Sequence, residues 1–308
     1  MLIYDEEKKT EHSIREIAFA KADEAFGFVV PVPSKPTLAK VKDEEAFTYL
    51  RRYFPYQSGL GLIGHGSGTG SGYGSGSGAG FGRGGVKVEE VRRVGSFKAY
   101  ILSATDEKDL AAWLSKNRFV ASKGGEAWLR HYVQLGFYYV AMRYDPPSRK
   151  KKGQSDAEHP IDAETVRISF ETPVPYYPYL EPTEPALDGE SPRLLEVWYV
   201  GSKPVVPVGV HEHEGSKEWV RPLQHGHTYE QPRTDFVDAS KELAEFLPDG
   251  DLVLQTFQDQ KRSRDGFGDV LFVPEDATTL TAARASELEP MLAVLDPGLL
   301  EEAKEDAE

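Results

Sequence analysis

The succession of strand-like and helix-like segments constrains this fold more than any other feature of the chain. Runs of β-branched and aromatic residues lie at Ile14 to Ala20, Phe26 to Val32, Val86 to Val88 and Phe97 to Ile101. The last two alternate apolar with polar residues, as half-buried strands do. Pro31-Val32-Pro33 closes the second run and removes ladder donors, which suits an edge strand. Between these runs, Asp43 to Phe54 places Phe47, Leu50 and Phe54 at helical spacing behind an acidic first turn, and Pro55 stops it. Thr105 caps a second helix, with Leu110, Trp113 and Leu114 on one face. A third starts at Glu126, sets Trp128 with Tyr132 and Leu129 with Val133, and ends at Gly136 as a left-handed stop.

"FYYVAMRY" (Phe137 to Tyr144) and "TVRISFE" (Thr165 to Glu171) read as the strands of a long-looped hairpin. "RLLEVWYVG" and "KPVVPVGVHEH" read as two further strands, a helix runs from Thr234 through Leu247, and "DLVLQTF" and "GDVLFVP" close the β content. Helices thus interrupt strands without a regular βαβ alternation. The expected fold class is α+β, with mixed or antiparallel sheets and several short helices. Residues 1–290 are expected to form one domain, in which the proline-punctuated stretch 173–192 could join two lobes; residues 291–308 form an acidic C-terminal tail.

The long glycine-rich insertion 59–85, "GLGLIGHGSGTGSGYGSGSGAGFGRGG", contains two glycine triplets with dinucleotide-loop spacing. Neither has a buried strand before it and a helix after it, which is what aims backbone amides at a pyrophosphate. Every serine in the tract has glycine at ±1, whereas a nucleophile elbow needs glycine at ±2. The tract is therefore expected to be a tolerated coil, spanning roughly 30 Å end to end, or a packing element between molecules.

Fifty acidic against 36 basic residues give a net charge of −14, which repels phosphate backbones and anionic lipid alike, so no nucleic acid partner is expected. Arg149-Lys150-Lys151-Lys152 beside Pro146-Pro147 reads as a solvated loop tip. The absence of cysteine excludes disulfides, thiolate nucleophiles and cysteine-held metal. No apolar run approaches the ~20 residues a membrane helix needs, and the start Met1 to Glu7 lacks the basic and apolar regions of a signal peptide. No membrane insertion by this chain is expected.

Four of eight histidines fall within "HEHEGSKEWVRPLQHGH". His211 and His213 share one strand face, as do His225 and His227, and a turn at Gly215 could bring all four together. Neutral imidazoles of this kind suit zinc, nickel or copper. The alternative is four exposed loop histidines in a polar segment. Asp249-Gly250-Asp251 and Asp265 to Asp269 lack calcium-loop spacing and read as turns. No carboxylate pair sits in an apolar setting that would mark a general acid, so no catalytic residue and no organic cofactor is assigned.

"FGFVVPVPSKP" (26–36), "VGSFKAYILSATDEKDLAAWLSKNRF" (94–119), "LRHYVQLGFYYVAMRY" (129–144) and "VRISFETPVPYYPYL" (166–180), taken in order, resemble the bacterial family known as domain of unknown function 2330. The resemblance runs from about residue 2 to residue 275. It implies an exported protein of the bacterial envelope, periplasmic or extracellular, with no established activity to carry over. Family members often carry cysteines, an export signal and an anchor; this chain has no cysteine, and neither a signal nor an anchor is expected within it, the alternatives being a trimmed mature form or a member that has lost export. The expected function is non-enzymatic, through binding of a protein or envelope component or through self-assembly, with transition-metal binding by the four histidines as the alternative.

Overall fold

The computed structural model describes residues 1–19, 27–57, 84–119, 125–144, 161–180, 194–213, 215–261, 264 and 266–275. In chain order these form β1 (Leu2–Asp5), β2 (Thr10–Phe19), β3 (Gly27–Val32), β4 (Thr37–Lys40), α1 (Ala46–Tyr53), β5 (Val86–Val94), β6 (Phe97–Ala104), α2 (Glu107–Lys116) and α3 (Gly125–Gln134). There follow β7 (Tyr138–Tyr144), β8 (Ile161–Glu171), β9 (Tyr176–Tyr177), β10 (Leu195–Gly201), β11 (Val205–His213), β12 (Ser216–Val220) and β13 (Gln224–Glu230). The described part ends with α4 (Arg233–Ala239), α5 (Lys241–Ala244), β14 (Val253–Asp259) and β15 (Val270–Pro274). Most of the glycine-rich insertion, the basic loop and the C-terminal tail lie outside the described residues.

A seven-stranded sheet, ordered β13-β14-β10-β1-β2-β8-β4, forms the middle layer, and two four-stranded sheets, β12-β11-β15-β9 and β3-β7-β6-β5, complete the β structure. β1 and β10 pair in parallel and their neighbours pair antiparallel, so the central sheet is mixed and the class is α+β. The two-residue period of a strand sorts the central residues by face. Ile3, Ile14, Trp198, Val200 and Leu254 cluster with Phe47 and Leu50 of α1, Phe236 of α4 and Leu243 of α5. On the other face, Leu2, Tyr4, Val197, Tyr199 and Phe257 cluster with Val205, Val270 and Phe272. Val166, Ile168 and Phe170 join Phe97, Ala99 and Ile101 of the third sheet, whose helices α2 and α3 add Leu110, Leu114, Leu129 and Tyr132. The result is helices, central sheet, and a second β layer backed by two more helices.

Local chemistry explains the element ends. Asp106, not Thr105, caps α2, accepting from the amides of Lys108 and Asp109 at 2.9 Å each. Thr105 instead pairs through its own amide with the Gly85 carbonyl, extending the β5–β6 ladder by one bond. Gly136 takes φ +68 after α3, the left-handed stop its spacing predicts. The single helix expected from Thr234 to Leu247 is two, because Ser240 adopts extended backbone and caps α5 by accepting from the Leu243 amide. β3 is an edge strand as its prolines require, but β7 and β8 are not a hairpin: β7 pairs with β3 and β6, and β8 with β2 and β4. The indole of Trp198 donates to the Phe54 carbonyl at 2.9 Å, tying the end of α1 to the central sheet.

Candidate binding cleft

The turn between β1 and β2 is built by Asp5, which accepts from the Lys8 amide at 3.0 Å and from its ammonium at 2.5 Å, and by Lys9 at φ +49. This places Lys9 beside the turn that joins β10 to β11, where Ser202 and Lys203 lie. Pro173, Val174 and Pro175 form the opposing wall. Two of these three residues lack an amide hydrogen, so the wall offers carbonyls and ring carbons to whatever faces it. The Tyr4 hydroxyl donates to the carbonyls of Thr172 and Pro173 at 3.1 and 2.8 Å, pinning that wall to β1. Tyr199 stacks on Phe272 with rings 8° from parallel.

These groups enclose a cavity of about 320 Å³ lined by Tyr4, Glu6, Lys9, Pro173 to Pro175, Tyr199, Ser202, Lys203, Val205 and Pro274. Glu6 accepts from Lys203 at 3.0 Å and from Ser202 at 2.9 Å, and the hydrogen bond from Lys203 holds its carboxyl below the usual value. Burial raises the hydroxyls of Tyr4 and Tyr199, so both stay neutral at physiological pH. With Glu6 matched by Lys203, the Lys9 ammonium leaves the lining one positive charge in excess. The cleft thus combines aromatic and proline surface with a cationic mouth, on a protein whose net charge is −14.

Behind the cleft, two carboxylates are buried in the layer between sheets. Asp269 is 1% exposed and accepts from Tyr132 at 2.9 Å, Tyr176 at 2.5 Å and the amides of Tyr179 and Leu180 at 2.8 and 2.9 Å. Burial pushes its carboxyl above the usual range, against these hydrogen bonds. This knot joins α3, β9 and β15. Glu11, fully buried on β2, accepts from the Tyr176 amide at 2.6 Å, while its Oε1 and the Nε and Nη2 of Arg15 have no hydrogen-bond partner. Burial moves its carboxyl up to about 8, although Arg15 and the Met1 ammonium oppose the shift.

The histidines occupy two places. Gly215, at φ +80, does turn the chain, giving the β11–β12 hairpin. His211 and His213 stack on one face of β11 with ring centroids 6.0 Å apart, and His211 also lies 4.3 Å from the Phe267 ring. Buried Pro222 and Leu223 then carry the chain out of that hairpin, so His225 and His227 lie on β13, which pairs with β14 in the central sheet. There His225 bonds Thr228 at 2.9 Å and His227 packs on Tyr229. A ladder irregularity between His225 and Thr228 interrupts the shared face expected of this pair. Among the described residues no three His, Asp or Glu side chains gather as metal ligands, so the four imidazoles do not converge. Treatment with EDTA is accordingly expected to leave the melting temperature unchanged; a fall of several degrees would show that metal organises this region.

Sequence reasoning named none of the cleft residues as a site and took Asp269 for a turn residue. Its one legible signal was Asp269 directly before the apolar run Val270 to Val273, where a carboxylate entering a core strand requires partners. Among the described residues no helix is long and apolar enough to cross a membrane.

Fold and cleft together define a layered α+β protein with a small amphiphilic cleft. By sequence the chain belongs to the bacterial family described as an uncharacterized protein conserved in bacteria, domain of unknown function 2330, whose match covers residues 2–180. The match ends at the second cleft wall, short of residue 275, so strands β10 to β15 lie beyond it. No curated protein and no solved structure matches the chain.

Proposed function

We propose that this protein is a non-enzymatic, extracytoplasmic domain of the bacterial envelope or cell surface that works by binding, with the cleft between the β1–β2 turn and Pro173 to Pro175 as its ligand site. The observation that carries this reading is the lining itself: tyrosine and proline surface for an apolar body, and a lysine surplus at the mouth for an acidic group. Membership of a bacterial family supports the bacterial setting.

The ligand class that fits is a small carboxylate with an aromatic or short apolar body, free or at the end of an envelope component. Benzoate, phenylacetate and acidic dipeptides at millimolar concentration are expected to raise the melting temperature by about 2–4 °C, since binding to the folded state alone stabilises it. K9E, which reverses the unmatched charge at the mouth, is expected to abolish that rise. Equal shifts in K9E and the parent chain, or no shift with any probe, would remove the cleft as a carboxylate site. Cell fractionation tests the location: recovery in the cytosol would remove the extracytoplasmic half of the proposal.

A further inference from the structure

We propose that this protein forms a two-fold homodimer by antiparallel pairing of β5 with β5 of a second copy, joining two four-stranded sheets into one. The inference rests on no feature of the cleft.

β5 is an edge: it pairs with β6 on one side, and among the described residues no strand occupies the other. Nine residues of edge present unpaired backbone groups to any strand that approaches. The large apolar side chains exposed among the described residues are Tyr53, Val88 and Val91, so two of the three sit on this strand. Lys87, Glu89, Glu90, Arg92, Arg93 and the ladder irregularity are devices that also protect an edge, so it is the order of the charges around the exposed Val91 that points to a partner.

The charges on β5 also have an order. Residues 89 to 93 read Glu-Glu-Val-Arg-Arg. Laid antiparallel on itself with Val91 at the two-fold axis, the strand sets Glu89 opposite Arg93, Glu90 opposite Arg92 and Val91 opposite Val91. Directly opposed residues share a face, so each acid meets a base and the valines meet each other. Parallel pairing in register would instead oppose like with like at every charged position. Shifting the antiparallel register by two residues in one direction opposes Glu90 to Glu90, and in the other Arg92 to Arg92. The irregularity between Val88 and Glu90 leaves Glu89 unpaired in the β5–β6 ladder and ends regular strand there, which confines the contact to the Glu90–Arg92 and Val91–Val91 pairs and leaves Val88 outside it. Glu89 already meets Lys87 at 2.9 Å and Lys35 at 3.4 Å, while the exposed Glu90 and Arg92 pair with each other at 3.4 Å along the strand and in the dimer would each also face the opposite charge of the second copy, so the Glu90–Arg92 pair selects the register. A two-fold contact of one surface with itself is the commonest way for a soluble chain to pair.

Sedimentation equilibrium of the full chain is expected to show a concentration-dependent species of twice the 34.2 kDa of one chain. E90R and R92E each place like charges opposite one another at two symmetric positions, and each is expected to weaken dimerisation about tenfold or more. An equimolar mixture of E90R and R92E restores two opposite-charge pairs, and is expected to dimerise as the parent does. V91K puts two ammoniums at the axis and is expected to give monomer, while Y53K, at the third exposed apolar residue, leaves the dimer intact. Circular dichroism and melting of each variant check that the fold is retained. A parent chain that stays monomeric up to about 0.1 mM would overturn the proposal. So would a dimer indifferent to E90R and V91K, or a mixture of E90R with R92E no better than either alone.

Discussion

Asp269→Ala is expected to lower the stability of the fold by about 3–5 kcal/mol, the scale for breaking a buried charged network by removing one partner. In a domain of this size that corresponds to a fall in melting temperature of roughly 10 °C. The change strips the acceptor from two tyrosine hydroxyls and two backbone amides in a site that water does not reach. Asp269→Asn is expected to cost only about 1 kcal/mol, because its oxygen still accepts from Tyr132, Tyr179 and Leu180 while its amide donates to a Tyr176 hydroxyl turned to accept. Chemical denaturation of both variants distinguishes this account from simple loss of packing. If D269A and D269N lose the same amount, or D269A loses less than about 1 kcal/mol, the hydrogen-bonded knot is not what holds α3, β9 and β15 together.

The second large effect is a pH dependence centred on Glu11. Its carboxyl sits at about 8 in the folded chain against an ordinary 4.5, so between those values the folded state keeps a proton that the unfolded state releases. A raised folded value means that the contribution is complete below about 4.5 and is lost as pH rises toward about 8, at about 1.4 kcal/mol per pH unit. E11Q carries no ionisable proton at this position. The stability of E11Q relative to the parent is therefore expected to improve by about 4 kcal/mol from pH 4.5 to pH 8, measured by urea denaturation at several pH values. Taking the difference between the two chains cancels groups remote from Glu11, whereas the Met1 amine, which burial moves the opposite way and which the Glu11 charge raises, belongs to the measured change together with Glu11. A gap that stays constant with pH would mean that Glu11 is ionised inside the fold, with Arg15 supplying what the hydrogen bonds do not.

Part of this protein was legible residue by residue. Leu110, Trp113 and Leu114 repeat at helical spacing because α2 must bury one face, whereas the alternation of Phe97, Ala99 and Ile101 marked a strand but not a half-buried one: Tyr100 and Leu102 bury the other face of β6, and Val88 of β5 is exposed. Gly136 marked a helix end for a reason confined to its own backbone. β1 was missed because Leu2-Ile3-Tyr4 is too short to show a period, yet it lies in the middle of the central sheet. The cleft was missed for a different reason. Tyr4, Lys9, Pro173, Tyr199 and Lys203 are unremarkable in their own surroundings, and only the parallel pairing of β1 with β10 and the Tyr4 contact with the 173 carbonyl make them neighbours.

The histidines show where local pattern misleads. His211 and His213 are held on one face of β11 as their spacing requires, and the Gly215 turn forms where expected. What spacing could not say is which sheet the chain joins after Trp219. Burial of Pro222 and Leu223 sends it to β14, and the second pair of imidazoles leaves with it.

By itself, then, the sequence determined the α+β class, the helices α1, α2 and α3, strands with a clear apolar run such as β6, β7 and β14, and the self-complementary order of charges along β5, since all of these depend on neighbours a few residues apart. The tertiary structure alone decided which strands share a sheet, that Asp269 and Glu11 are buried, and that a cleft lies between the β1–β2 turn and the 173–175 wall. Those outcomes depend on strand partners up to about two hundred residues away, as with β1 and β10, chosen by the burial of whole faces.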